Sequence, residues 1–104
     1  MKKTFVPSRE FTDDLIATLK REHGEIHKLE VEDKAIIVRK PGIQELDFAS
    51  QTSGGNGFEF NRAILTNCMV AGDEELITIE SYFLGACKQV IEIVKTKESS
   101  LVKL

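Results

Sequence analysis

Residues 23–41 read HGEIHKLEVEDKAIIVRKP, and this stretch constrains the fold more than any other. Lys20, Arg21 and His23 crowd its approach, where the negative end of a helix dipole favours cations. Gly24 then supplies the positive-φ residue that stops a helix. Two short runs follow. In the first, His27, Leu29 and Val31 face one way, and Ile26, Lys28 and Glu30 the other. The second, Ala35 to Arg39, is rich in β-branched residues. A two-residue loop at Glu32-Asp33 pairs Val31 with Lys34, Leu29 with Ile36 and His27 with Val38. The loop lacks Asn-Gly or Asp-Gly, which leaves the register open by a residue or two. Pro41 has no N–H for a ladder and ends the second strand. An isolated hairpin is marginal in water, so this one has to lean on helices or pair with further strands.

Helices supply that support on both sides. Thr12 is placed as an N-cap with Asp13 and Asp14 behind it, and Phe11 and Ile16 fit a hydrophobic staple. Phe11, Leu15 and Leu19 form the apolar stripe of this first helix. A second helix is expected over 43–51, with Ile43, Leu46 and Ala49 along one side and Phe48 adjacent. Residues 50–57, SQTSGGNG, read as a flexible internal loop, because three glycines in four residues cost a helix about 1 kcal/mol each. Asn56 is placed to cap a third helix over 58–70, with Phe60, Ile64 and Cys68 in line and Gly72 as its stop. A last helix begins at Glu75 or Thr78 and runs to about Lys95, with Phe83, Cys87, Val90 and Val94 as its stripe, widened by Tyr82, Ala86 and Ile91. The reading is α+β: an N-terminal helix, a β-hairpin, then three helices in one domain over 1–104. Residues 1–10 are expected as a flexible arm, and 98–104 as a frayed tail.

Composition narrows the job. Of 104 residues, 41% are hydrophobic and 30% charged, too apolar for disorder. Net charge is −3, and Lys2-Lys3 and Arg39-Lys40 are too short to make the basic patch of a nucleic-acid binder. The N-terminus lacks the apolar core of a secretory signal, and no apolar run nears the length of a membrane span. Cys68 and Cys87, nineteen residues apart, form no CxxC pair and read as free thiols on buried faces, which suits a reducing cytoplasm.

The chemistry-bearing residues have structural explanations. HGEIH is no zinc helix, since Gly24 separates His23 on a helix from His27 in a strand. Adding Cys68 and Cys87 gives a set of four donor residues, but no pair has finger-like spacing. GGNG lacks the Gly-Lys-Ser/Thr of a phosphate loop and joins helix to helix. Asp13-Asp14 and Asp73-Glu74-Glu75 fall at helix starts, where capping and dipole effects account for them. No catalytic, cofactor-binding or metal residue is assigned, and no enzyme activity or cofactor is expected.

Taken in order, the segments resemble a known family. LKREHGEIHKLEVEDKAIIVRKP, ELDFA (45–49), AILTNCMVAGDEEL (63–76) and YFLGACKQVIEIVKTKES (82–99) are similar to small tail assembly chaperone-like proteins of tailed phages and prophages. The Glu32-Asp33-Lys34 corner departs from that pattern by lacking a glycine, and the TSGGNG loop is locally elaborated. The resemblance implies a non-enzymatic protein that binds the tape measure protein during tail morphogenesis, self-associates, acts in the host cytoplasm and is absent from the mature virion. The expected contact surfaces are the last helix with its apolar tail and the open hairpin edge. The alternative is a small cytoplasmic adaptor or regulatory domain with a different partner.

Overall fold

The computed structural model describes residues 5–94 and 101–104. A 3-10 turn at Ser8–Glu10 precedes α1 (Asp13–His23), β1 (Ile26–Val31) and β2 (Lys34–Arg39). Then come α2 (Ile43–Ser53), α3 (Gly57–Cys68), β3 (Met69–Gly72), the short α4 (Glu75–Thr78) and α5 (Glu80–Ile93). The result is a small α+β domain around a three-stranded antiparallel sheet in the order β1-β2-β3.

Local rules place α1 and the hairpin. The Thr12 side chain accepts from the Leu15 N–H at 3.1 Å, and the Gly24 N–H closes the helix onto the Lys20 carbonyl at 2.9 Å with φ 78°. The β1–β2 register pairs Val31 with Lys34, Leu29 with Ile36 and His27 with Val38, as the alternation predicts. The tight corner is held by Glu32 at φ 56°, a left-handed position taken here without a glycine. The Tyr82 hydroxyl braces that corner by donating to Asp33 Oδ1 at 2.5 Å.

The sheet separates two apolar layers. On one face Leu29, Ile36, Val38 and Met69 pack with Ile64, Leu65, Leu76, Phe83, Ala86 and Val90 of the later helices. On the other, Ile37 and Ala71 pack with Leu19, flanked by Phe11, Leu15 and Ile16. Removing large side chains such as these from water stabilises a fold by about 1.5–3 kcal/mol each. The Arg62 guanidinium lies over the Phe83 ring at 4.4 Å and donates to the Ile77 carbonyl at 3.5 Å, so a cation roofs the main core.

Three elements differ from the sequence reading. The expected third helix over 58–70 ends at Cys68, and Met69–Gly72 becomes β3 on the second edge of β2. Ile37 opposes Ala71 and Val38 opposes Met69, which leaves Val70 as the extra residue of a bulge. The bulge sends Met69 to one core layer and Ala71 to the other. Helix α2 continues to Ser53, so the loop read over 50–57 shrinks to Gly54–Asn56, and Asn56 caps α3 by accepting from the Glu59 N–H at 3.0 Å. The last helix is split in two, and of its two expected starts only Glu75 begins a turn, while Thr78 ends one. A single turn begins at Glu75, breaks at Ile79 in extended backbone, and α5 starts anew at Glu80.

Gly72 is therefore a strand end and not a helix stop. Its φ is 118°, and a Cβ there would lie 2.5 Å from both the Ala35 carbonyl oxygen and the Ile36 Cα. Its N–H donates to the Val6 carbonyl at 2.7 Å, bringing the N-terminal segment against the outer side of β3. Next to it, Asp73 collects three donors: the Ser8 hydroxyl, the Ser8 N–H at 3.1 Å and the Ala35 N–H at 3.1 Å. Burial opposes its charge, but the hydrogen bonds from Ser8 and Ala35 outweigh that and hold the carboxyl below the ordinary aspartate range.

Two outcomes follow for stability in urea. Gly72→Ala is expected to cost about 3 kcal/mol or more, since backbone rather than a flexible side chain blocks the methyl and the φ disfavours any Cβ. A folded variant with an unchanged midpoint contradicts this close approach. Asp73→Asn is expected to cost about 1–3 kcal/mol at neutral pH by mismatching clustered donors. A carboxyl with a depressed folded pKa contributes fully above its unfolded value near about 4 and loses that contribution as pH falls through the folded value. The gap between parent and variant should therefore close on acidification, and a gap that is constant from pH 7 down to 3 rules the assignment out.

Candidate protein-interaction surface

The histidines and acids of the sequence are dispersed over the structure. His23 lies at the C-terminus of α1, 3.8 Å from Glu22, and His27 Nε2 lies 2.9 Å from Glu25 Oε2 at the start of β1. Glu25 also faces Lys40 at 3.8 Å, and its carboxyl sits below the usual range because of the His27 hydrogen bond and then the Lys40 charge. Asp13 and Asp14 occupy the first turn of α1, and Glu75 that of α4, while Asp73 is committed to Ser8 and Ala35. Among the described residues, no group of three or more His, Cys, Asp and Glu is arranged to hold a metal ion. No described helix is long and apolar enough to cross a membrane.

The Arg39–Glu45 ion pair joins the end of β2 to the first turn of α2, and Arg39 Nη2 also donates to the Asn67 carbonyl at 3.3 Å. The Arg39 hydrogen bond is the main reason the Glu45 carboxyl is held low. Beside the Gly54–Asn56 turn lies an open hollow of about 370 Å³ between Ser50, Ser53 and Phe60. The Asn56 side chain on its rim is occupied by its cap.

The two cysteines separate clearly. Cys68 is fully buried between the sheet and the helices, and burial pushes its thiol pKa up against the opposing charge of Arg39. Cys87 was expected on the buried face with it, but α5 is rotated so that this thiol is only half-buried. Both are free.

The two expected contact surfaces fare differently. β3 takes one edge of β2, which leaves the outer edge of β1 open. The Lys40 N–H bonds the Glu25 carbonyl, which sets the ladder phase and turns the backbone of Ile26, Lys28 and Glu30 outward. This edge is guarded. Gln89 of α5 donates to the Glu30 carbonyl at 3.0 Å, and Lys28 pairs with Glu30 at 2.9 Å along the strand. Charged side chains of this kind oppose strand addition.

Helix α5 is less protected. Phe83, Ala86 and Val90 are buried, as their spacing predicts, and Ile93, outside the expected stripe, is buried with them, while Cys87 and Val94 of that stripe are half-buried. Ile91, read as widening that face, is instead 70% exposed, and Leu84 is 44% exposed. Seven residues is two helical turns, so Leu84 and Ile91 lie on one line with half-buried Cys87 and Val94 beside it. Gly85 and Gln89 lie toward β1, so this second line runs along the side of α5 turned away from the sheet edge. Of the apolar tail, residues 95–100 lie outside the described residues, while Leu101, Val102 and Leu104 are exposed and outside regular structure.

Other exposed apolar side chains lack this order. Ile43 was expected on the inner side of α2 but is 86% exposed, because Ala49 and Leu46 face the core. Phe48 is half-exposed five residues on, about 140° around the helix from Ile43. Phe58, also half-exposed, sits at the start of α3. Single exposures of this sort are ordinary on a protein surface.

The exposure of Cys87 gives a direct check on the rotation of α5. An aromatic disulfide reagent should label one thiol quickly and the other only on unfolding. Cys87→Ser should remove the fast phase and Cys68→Ser should retain it; fast labelling that survives Cys87→Ser contradicts the placement.

No protein-family model matches this chain, and no curated protein or solved structure resembles it significantly.

Proposed function

We propose that this chain works by adhesion to another polypeptide, as a non-enzymatic tail assembly chaperone-like protein that binds a phage or prophage tape measure protein before the tail tube forms. The observation that carries the reading is the exposed apolar line on α5, Leu84 to Ile91, beside a core that is already complete. A surface of this kind is stable in water as a narrow stripe and gains by covering apolar stripes on a partner. The ordered similarity across residues 12–104 supports the choice of partner. Two free cysteines suit action in the host cytoplasm.

Chemistry fits the role. A long helical protein made before its tube exposes apolar stripes that aggregate unless covered. A small acidic domain, net charge −3, can occupy such stripes in several copies and leave when tube subunits make stronger contacts.

Co-expression with the long helical product of the neighbouring gene, followed by affinity capture, tests this. Co-elution is expected, and Leu84→Glu with Ile91→Glu should reduce capture at least tenfold while the far-ultraviolet circular dichroism and melting transition persist. No co-elution with any segment of the tape measure protein counts against the tail role. Undiminished capture by the folded double variant removes α5 as the adhesive surface.

A further inference from the structure

We propose that residues 5–10 form a releasable strap, which closes over the outer edge of β3 and keeps that edge from pairing with the same edge of a second copy. The strap crosses the sheet from one apolar layer to the other. Phe5 packs against the main core, and Phe11, just past the strap's far end, packs in the second layer with Leu19, Ile37 and Ala71. Between them the Val6 carbonyl accepts the Gly72 N–H at 2.7 Å, and Ser8 donates to the Asp73 carboxylate through both its hydroxyl and its N–H. Pro7 and the 3-10 turn shape the crossing, with the Glu10 and Phe11 N–H groups bonded to the Pro7 and Ser8 carbonyls.

The strap is lightly held. No residue from Phe5 to Phe11 is fully buried, and Val6, Arg9 and Glu10 are exposed. Phe11 and Thr12 stand in extended backbone between the 3-10 turn and α1. A change of direction at Phe11 therefore frees the strap and leaves α1 with its Thr12 cap intact. Segments with few buried contacts open at a fraction of the free energy of global unfolding.

The two edges of the sheet are protected by different means. β1 is guarded by the Lys28–Glu30 pair and by Gln89. β3 reads Met69-Val70-Ala71-Gly72, with no charged side chain of its own. Covering an edge with a passing segment is the alternative to charging it. Successive amides show which side the strap covers. The Gly72 N–H points outward to Val6, whereas the Asp73 N–H points inward to the Ala35 carbonyl at 2.9 Å. Opening the strap bares the first and leaves the second in place. Two uncharged edges related by a two-fold axis then pair antiparallel without charge repulsion, which makes a second copy the chain that the strap excludes. This guard is independent of what α5 binds.

Hydrogen exchange at these two neighbouring amides reads the strap directly. In the full chain, after correction for intrinsic rates, the Gly72 amide is expected to exchange at least about a hundredfold faster than the Asp73 amide. Its rate should be insensitive to low urea, while the Asp73 rate rises steeply with urea. Equal protection with equal urea dependence overturns the inference, because the strap then leaves only when the whole domain unfolds. A second readout holds the strap open. Phe5→Asp puts a charge where the anchor on the main core was, and Ser8→Ala removes the hydroxyl from Asp73. The double variant should keep protected amides at Ile36 and Ile37 and lose protection at Gly72. As its concentration rises it should sediment as a larger species than the parent, with Gly72 regaining protection in the associated form. A folded double variant that stays monomeric, or that associates and leaves Gly72 unprotected, overturns the guard. If the double variant does not fold, Ser8→Ala alone decides. Its Gly72 amide should exchange at least about tenfold faster than the parent's, still without urea dependence, and an unchanged rate counts against the latch.

Discussion

Ala35, Ile36, Ile37 and Val38 are four consecutive residues of β2 with no solvent to face, and the remainder of the fold is arranged to cover them. Alternate side chains of a strand point to opposite faces, so a run buried throughout demands an apolar layer on each. Helix α1 meets Ile37 on one face, and the later helices meet Ile36 and Val38 on the other. The strand's backbone has the same problem at its edges. β1 fills one, and the short β3 fills the other, because unpaired N–H and C=O groups beside a buried core carry a desolvation cost.

That arrangement explains where the polar residues are used. Asp73 stands where β3 leaves the sheet, and its carboxylate joins the N-terminal turn at Ser8 to the start of β2 at Ala35. Arg39 and Glu45 do the equivalent at the far end of β2, linking it to α2. Tyr82 and Gln89 of α5 reach the hairpin corner and the outer edge of β1. Ionisable groups mark the ends and corners of elements.

Helix α5 packs through one face and keeps a second apolar line in water. Leu84 and Ile91 contribute little to the domain's own core, yet two rows of spaced side chains are too narrow to drive non-specific collapse. The guarded β1 edge completes the picture. Gln89 and the Lys28–Glu30 pair discourage indiscriminate strand pairing there.

Much of this architecture was written locally. Thr12 and Gly24 bracket α1 because capping depends on neighbours in sequence, and the hairpin register followed from alternation and a two-residue loop. The proposed partner likewise rests on the order of segments alone. What the chain could not announce was non-local. Met69–Gly72 is too short to show a period of its own and becomes a strand only because β2 presents an edge to it, with Gly72 wedged against Ala35 and Ile36 where helix punctuation was the simpler reading. Likewise Phe83, Leu84, Val90 and Ile91 are equally apolar in sequence. Which pair is buried depends on the rotation of α5 against the sheet, and that rotation is set by Gly85 over Val31 and Phe83 beneath Arg62.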